Sequence, residues 1–269
     1  MSKDGRRPTL EDVLELSGLD LLHPGGFAIT EKIGKIVEMR GKRILDVACE
    51  RGNLPCYYAR NFEARVVGID LSPDMVRLSV ERARREGIAG LTEFRVADSL
   101  ALPFEDDSFD VVVNECAVGL TSDPQRCLRE MARVTRPGGY AVIHESVWLK
   151  EPPEREKADV AGRLGTVPYA LAEWKEMMGK AGLIDIWTED WSGPENVYRI
   201  RPDRKVTSLN GILSPWEKAL ILNEVERRPA VPACCYSGLA RMSSSVFFSS
   251  PMKLLSSWRL PSQSRSMWL

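Results

Sequence analysis

The feature that most constrains this chain is a regular alternation of short β-rich runs with amphipathic helical segments between residues 43 and 143. Strands joined through helices form right-handed crossovers, which give a mainly parallel sheet covered on both faces. The third helical segment shows the pattern at its clearest, because it begins at Asp123-Pro124 and stops before Pro137. The predicted strands are 43–47, 65–70, 91–96, 110–113 and 140–143, and the predicted helices are about 53–62, 74–86 and 124–135.

Weaker signals flank this alternation. Two amphipathic helices are predicted before residue 40, and a further helix at about 170–181 precedes possible closing strands at 183–188 and 196–201. We therefore predict an α/β fold, a three-layer Rossmann-like sandwich whose mainly parallel sheet has an antiparallel closing strand. The predicted divisions are an N-terminal helical cap at 1–40, a core at 41–205, a helical segment at 206–226 and a tail at 227–269.

The tail differs in composition from the rest of the chain. Residues 227–269 carry six basic and no acidic side chains, whereas the residues before them carry 31 basic and 38 acidic ones. The tail is rich in serine and sustains neither a helical nor a strand period. A basic tail can bind nucleic acid or anionic lipid, but poor order explains the same composition. We predict a poorly ordered extension and assign it no function.

Composition excludes several classes of protein. Of 269 residues, 43% are hydrophobic and 28% charged, as in ordinary soluble globular proteins, and no apolar run is long enough to span a membrane. No signal peptide is visible, so the six cysteines are expected to be reduced thiols in the cytoplasm. The net charge of −1 argues against a dedicated nucleic-acid binder, and the oligomeric state stays open.

Acidic residues stand at the ends of three successive predicted strands. Asp46 begins a tight loop that reaches a helix at Gly52, Asp70 ends the second strand, and Asp98 follows the third. The carboxyl ends of parallel strands meet at one edge of the sheet, where ligands bind. A carboxylate there can accept hydrogen bonds from ribose hydroxyls or from an adenine amino group. The pattern predicts a site for an adenosine ligand.

Five segments together resemble the class I S-adenosylmethionine (SAM)-dependent methyltransferases, over roughly residues 27–205. Within that superfamily the chain is most similar to the small-molecule branch that includes ubiquinone- and menaquinone-biosynthesis methyltransferases. The segments are ILDVACERG at 44–52, VGIDLSPDM at 67–75, AD at 97–98, LPFEDDSFDVV at 102–112 and LREMARVTRPGG at 128–139.

The resemblance implies SAM as the cofactor, a small-molecule methyl acceptor as the partner, and a specific set of cofactor-binding residues. The loop around Asp46 would hold the methionine half, Asp70 the ribose, and Asp98 the adenine amino group, with Asn114 beneath the sulfonium. The full set is Asp46, Ala48, Cys49, Gly52, Asp70, Leu71, Met75, Ala97, Asp98, Ser99 and Asn114.

The first loop departs from the family pattern at two positions. Ala48 and Glu50 stand where glycines usually allow positive φ and close approach of the backbone to the ligand. The alanine is a mild change, but the Glu50 carboxylate could crowd or repel the carboxylate of SAM. This departure bears on activity more than on fold.

Methyl transfer from a sulfonium is an in-line displacement, so the enzyme mainly positions two substrates and excludes water. A general base is needed only where the acceptor must lose a proton. The catalytic candidates are His144 and Glu145, just beyond the fifth predicted strand, and Glu115 after the fourth; a structural role explains His144 equally simply. No metal site is predicted, because Cys-x-x-Cys pairs are absent and only two histidines are present.

Several alternatives remain open from the sequence. A catalytically impaired binding or regulatory protein would explain Glu50 and the unusual tail. A nicotinamide-dependent dehydrogenase would require Gly-x-Gly-x-x-Gly after the first strand, where this chain has Gly52 alone. An arsenite methyltransferase would use separated thiolates, for which Cys56 and Cys116 are placed but a third cysteine within 161–169 is not. The acidic balance before residue 227 weakens an RNA or protein methyltransferase.

Overall fold

The computed structural model describes residues 26–148, 151–155, 157–158, 161, 168–190 and 242–251. Its helices are α1 Gly26–Ile36, α2 Asn53–Phe62, α3 Pro73–Arg85, α4 Pro124–Val134 and α5 Leu171–Lys180, with a short 3-10 turn at Val118–Leu120. Its strands are β1 Arg43–Val47, β2 Arg65–Asp70, β3 Thr92–Val96, β4 Phe109–Glu115, β5 Thr135–Trp148, β6 Tyr169–Ala170, β7 Leu183–Asp190 and β8 Met242–Pro251.

The strands form one mainly parallel sheet in the order β3-β2-β1-β4-β5-β8-β7, with the short β6 paired to β5. From β1 the chain runs outward through β2 to β3, then returns to β4 on the other side of β1 and continues to β5. The strand order therefore reverses between β1 and β4. In open α/β sheets this is the point at which a cleft forms at the carboxyl ends of the strands. The predicted α/β sandwich is confirmed.

Local sequence signals explain where α3 and α4 begin. The Ser72 hydroxyl accepts a hydrogen bond from the Met75 N–H at 3.4 Å, and Pro73 occupies the first helical turn. Asp123 caps α4 in the same way, accepting the Arg126 N–H at 2.9 Å ahead of Pro124. Side-chain caps and early prolines satisfy or remove N–H groups that have no partner inside the helix. Both helices lie where the sequence predicts them.

The antiparallel closing strand comes from the tail. β8 pairs antiparallel with β5, in a register that joins Ala141 to Ser249 and His144 to Val246, and it also pairs antiparallel with β7. Residues 242–251 of the tail thus form a strand where the sequence sustains no strand period. A strand inserted between two others obtains backbone hydrogen bonds on both sides, which a serine-rich stretch can form without a regular apolar alternation.

Other expectations outside the core have mixed outcomes. The closing strand predicted at 183–188 is present as β7, while the one predicted at 196–201 lies outside the described residues. The helical segment at 206–226 and most of the cap at 1–40 also lie outside them. Each described helix is too short or too polar to cross a membrane.

Two apolar clusters cover the two faces of the sheet. On one face α1 and α2 pack on β1, β2, β4 and β5 through side chains such as Ile33, Tyr58 and Val113. On the other face α4 and α5 pack through side chains such as Leu128 and Trp174, which are fully buried. Since both faces are covered, polar side chains emerge chiefly at the ends of the strands, and the candidate site lies there.

Candidate active site

The loop from β1 to α2 keeps a backbone that normally belongs to glycine. Ala48, Glu50 and Gly52 have φ values of 65°, 49° and 74°. Gly52 is required for space as well as for φ, because a Cβ at this position would lie 2.9 Å from the Cβ of Ser79. A left-handed conformation costs a residue with a Cβ about 1 kcal/mol or more. Ala48 and Glu50 therefore adopt this loop conformation at a cost in conformational free energy.

Asp70 ties this loop to the end of β2. One carboxylate oxygen accepts the Glu50 N–H at 3.0 Å, and the other accepts the Ser72 N–H at 2.8 Å. A carboxylate oxygen accepts more than one hydrogen bond, so each oxygen can also take a ligand hydroxyl. The side chain is half-buried at the edge of the cleft. The arrangement suits a vicinal diol, as the sequence predicts for ribose.

The candidate adenine residues lie beside Asp70 at the ends of β2 and β3. The Ala97 N–H donates to the Asp70 carbonyl at 3.0 Å, which brings the two loops together. Asp98 is exposed, and one of its carboxylate oxygens accepts the Leu100 N–H at 2.8 Å. Leu71 is 73% exposed, which leaves an apolar surface next to these polar groups. A flat ring with an amino group at its edge matches this combination.

Asp46 is the most unusual side chain of the site. It is 1% exposed, and neither carboxylate oxygen has a hydrogen-bond partner. Burial, followed by the nearby carboxylates of Glu115, Glu50 and Asp70, raises the pKa of Asp46 well above its ordinary value. A buried polar group without a partner is costly, so such a group points to a ligand that completes it. A cationic group is what this carboxylate lacks.

The side chain of Asn114, a predicted cofactor-binding residue, forms hydrogen bonds to three backbone groups around it. Its amide nitrogen donates to the Val47 carbonyl at 2.8 Å, and its oxygen accepts the N–H groups of Ala117 and Val118 at 3.0 Å each. The side chain thus joins the ends of β1 and β4 to the 3-10 turn. Asn114 shapes the floor of the cleft through these bonds.

A buried polar network lies next to Asp46 on the face covered by α1 and α2. The Tyr58 hydroxyl donates to Glu115 Oε1 at 2.7 Å, and the Thr30 hydroxyl lies 3.4 Å from the same oxygen. The other oxygen, Oε2, lies 3.5 Å from His144 Nδ1, and the side chains of Glu115 and His144 are both fully buried. Burial and the Glu115 carboxylate raise the pKa of Tyr58, which keeps the phenol protonated.

Sequence reasoning identified Glu115 and His144 but missed Tyr58 and Thr30. Both missed residues lie on the inward faces of helices that also carry ordinary apolar positions. A tyrosine at such a position is typical of a packed core, and the sequence has no signal that distinguishes it. Only the packing of α1 and α2 against the sheet brings their hydroxyls to the Glu115 carboxylate.

His144 and Glu145 were predicted as neighbouring catalytic candidates, but they have separate surroundings. Consecutive strand residues point to opposite faces, so His144 joins the Glu115 network while Glu145 turns toward the 3-10 turn. Glu145 is 4% exposed and accepts the Gly119 N–H at 3.1 Å. Burial raises the pKa of Glu145 to about 7, against the lowering effect of backbone donors. Each residue stays a candidate base on its own.

The cysteines in the described part of the chain are free thiols, and Cys116 is half-buried at the cleft while Cys49, Cys56 and Cys127 are buried. Cys116 has a φ of 64°, and burial with the carboxylates of Glu145, Glu115 and Glu50 raises its pKa well above the ordinary value. This thiol is therefore held protonated. Within the described residues no group of three histidine, cysteine or acidic side chains is arranged to hold a metal ion.

Comparison with known proteins identifies this region. Residues 45–143 match a family described as a methyltransferase domain. Phosphoethanolamine N-methyltransferase 1 of Arabidopsis thaliana is 29% identical over 174 residues, which cover 64% of this chain and 35% of the plant protein. The fatty-acid O-methyltransferase of Mycolicibacterium smegmatis is 36% identical over 146 residues, or 54% of this chain and 52% of the relative. The chain thus spans between about a third and a half of the length of these relatives. Their names do not specifically favour the quinone-biosynthesis branch.

Solved structures share the fold at low sequence identity. The phosphoethanolamine N-methyltransferase 2 of Haemonchus contortus, in complex with phosphomonomethylethanolamine and S-adenosylhomocysteine, has a TM-score of 0.67 at 21% identity, covering 90% of this chain and 57% of its own. The [4+2]-cyclase SpnF has a TM-score of 0.66 at 20% identity, covering 92% of this chain and 99% of its own. The same fold therefore supports more than one chemistry.

Proposed function

This chain belongs to the class I SAM-dependent methyltransferases, and we propose that it transfers the methyl group of SAM to a small-molecule acceptor by direct in-line displacement. The observation that carries the proposal is the Asp46 carboxylate, buried without a partner beside a glycine-type loop and the Asp70 carboxylate. SAM offers an ammonium, a sulfonium and a ribose diol, which are the groups these residues lack. The family supplies the transfer chemistry.

The residues of the cleft divide the binding task among them. Asp46 and the loop ending at Gly52 would face the methionine half, since a carboxylate and free N–H groups at the start of α2 suit its two charges. Asp70 would accept the ribose hydroxyls. Asp98 and the exposed Leu71 would hold the adenine by one hydrogen bond and by apolar contact. Met75, Ala97 and Ser99 complete this proposed pocket.

The chain's contribution to the chemistry is positioning and exclusion of water. Holding an acceptor in line with the transferred methyl removes an entropic barrier that free reactants face. Where the acceptor must lose a proton, Glu115 with His144, or Glu145, would receive it. Buried side chains in a cleft are suited to this because few competing waters reach them.

Calorimetric titration of the full chain with SAM and S-adenosylhomocysteine tests the proposal. We expect dissociation constants of about micromolar order, and a loss of at least about tenfold in Asp70→Asn, because an amide no longer accepts from the diol at both positions. Asp74→Asn is the matched control, since Asp74 is an exposed residue on α3 whose carboxylate lies 3.6 Å from Arg77. A folded chain that binds neither nucleoside would overturn the enzyme proposal.

A second candidate function rests on Glu50. A carboxylate at this position of the loop lies near Asp46, where the SAM carboxylate would also bind, and the backbone there has positive φ. A binding or regulatory protein with an impaired catalytic site would carry such a change. Glu50→Gly separates the two functions: a gain of about tenfold or more in SAM affinity favours impairment, and an unchanged affinity favours an adapted enzyme.

A further inference from the structure

Carboxylates crowd the carboxyl ends of three neighbouring strands. We call Asp46, Glu50, Glu115 and Glu145 the carboxylate cluster; they come from β1, the following loop, β4 and β5. Negative charge nearby helps to raise the pKa of Asp46, through the carboxylates of Glu115, Glu50 and Asp70. The pKa of Cys116 is raised in the same way by Glu145, Glu115 and Glu50. The cluster therefore surrounds the floor of the cleft from two faces of the sheet.

The cluster contains a group that points to a ligand. Asp46 is 1% exposed, and both of its carboxylate oxygens have no hydrogen-bond partner. The ammonium of SAM would complete Asp46. The fully buried Glu115 carboxylate beside it would favour a further positive charge at the point of transfer. Glu50 within the cluster and Cys116 next to it are half-buried and therefore partly accessible to solvent. The field at this point favours positive charge.

That field distinguishes among methyl acceptors, because the three main classes carry different charge through the reaction. An anionic oxygen or carbon acceptor gives neutral products when it reacts with the sulfonium. Before the reaction, nearby carboxylates would repel such an acceptor. A neutral amine instead takes over the positive charge. Fixed groups that stabilise charge where it develops lower the barrier, and groups of like charge raise it.

We propose, on the basis of the proposed methyltransferase function, that the acceptor of this site is an amine. The lone pair of its nitrogen forms a bond to the methyl carbon, the carbon–sulfur bond breaks, and its electron pair stays on sulfur, leaving S-adenosylhomocysteine. The nitrogen becomes positively charged beside the Glu115 carboxylate, which Tyr58 holds in place. A proton remaining on that nitrogen passes to the Glu115–His144 pair, whose facing atoms are 3.5 Å apart.

Two nucleoside probes measure the field at the point of transfer without knowledge of the acceptor. Sinefungin is a SAM analogue that carries an amine in place of the sulfonium methyl, whereas S-adenosylhomocysteine is uncharged there. Calorimetry on the full chain should show sinefungin bound about tenfold or more tightly than S-adenosylhomocysteine. Glu115→Gln keeps the size of the side chain and an oxygen for Tyr58, and should reduce this preference about threefold or more.

Glu105→Gln is the control, because Glu105 is an exposed residue of the β3–β4 connection and is not part of the carboxylate cluster. It should leave the preference unchanged. S-adenosylhomocysteine bound as tightly as sinefungin would overturn the amine proposal while leaving the methyltransferase proposal intact. If neither nucleoside binds, the methyltransferase proposal fails and the amine proposal fails with it.

A second arm uses labelled SAM with 2-phenylethylamine, 2-phenylethanol and phenylacetate, which share a skeleton and differ in the acceptor group. Stronger labelling of the amine supports the proposal. Stronger labelling of the alcohol or the carboxylate overturns it. Where none of the three compounds is labelled, the relative affinity for sinefungin and S-adenosylhomocysteine decides whether the amine proposal stands.

Discussion

At the scale of single residues, the site is distinguished by side chains that work against local stability. Ala48 and Glu50 occupy left-handed conformations, and Asp46 is buried without a hydrogen bond. Residues of this kind persist where ligand binding favours them, because stability and function make different demands on the same position. Ordinary core packing explains none of the three.

Asp46→Asn should raise stability and abolish SAM binding. Burial raises the pKa of Asp46, so the folded chain holds a proton that the unfolded chain releases above about pH 4. Wild-type stability is therefore lost as pH rises from that value toward the raised pKa, and the amide avoids this loss. In urea unfolding we expect no gain near pH 4 and a gain that grows as pH rises from that value toward 7. Equal stability of the two proteins at every pH would show that Asp46 has a partner.

Asn114→Ala should destabilise the fold through three lost hydrogen bonds. The substitution leaves the Val47 carbonyl and two N–H groups of the 3-10 turn without their buried partner. We expect a loss of about 2–4 kcal/mol in the free energy of unfolding. Asn61→Ala is the control, since Asn61 donates a single exposed hydrogen bond to Tyr57, and its loss should stay within about 0.5 kcal/mol. Comparable losses in the two variants would contradict the role given to Asn114.

At the scale of elements, the described chain divides into parts that local signals specify and one part that they do not. The capped helices α3 and α4 and the strands β1, β2 and β4 lie close to their predicted positions. Strand β8 has no such signal. Its place between β5 and β7 depends on pairing with residues about a hundred positions earlier in the chain. Long-range pairing is a property of the assembled sheet.

Truncation on either side of β8 tests its contribution. A chain that ends at residue 241 leaves β5 and β7 with unpaired edges, and exposed edges promote aggregation. A chain that ends at residue 251 retains the strand. We expect thermal unfolding followed by circular dichroism to be cooperative for the longer chain, and to be lost or to occur at a lower temperature for the shorter one. Identical melting curves would show that β8 does not stabilise the sheet.

At the scale of the whole molecule, the fold positions the site but leaves its chemistry to individual side chains. Methyltransferases and a cyclase share this architecture at similar TM-scores. The reversal of strand order between β1 and β4 creates the cleft in each such sheet. In this chain the carboxylate cluster lies at that cleft, and its charge is the basis for the amine acceptor proposed above.

The sequence by itself determined the α/β alternation, the three acidic strand ends and the first loop with its two replaced glycines. These features are local, since they depend on periodicity, caps and residues adjacent in the chain. Only the tertiary structure decided that Glu115 meets Tyr58 and His144, that Glu145 turns away from them, and that residues 242–251 close the sheet. Contacts of this kind join segments far apart in the chain, so they arise from packing and pairing that no short stretch of sequence encodes.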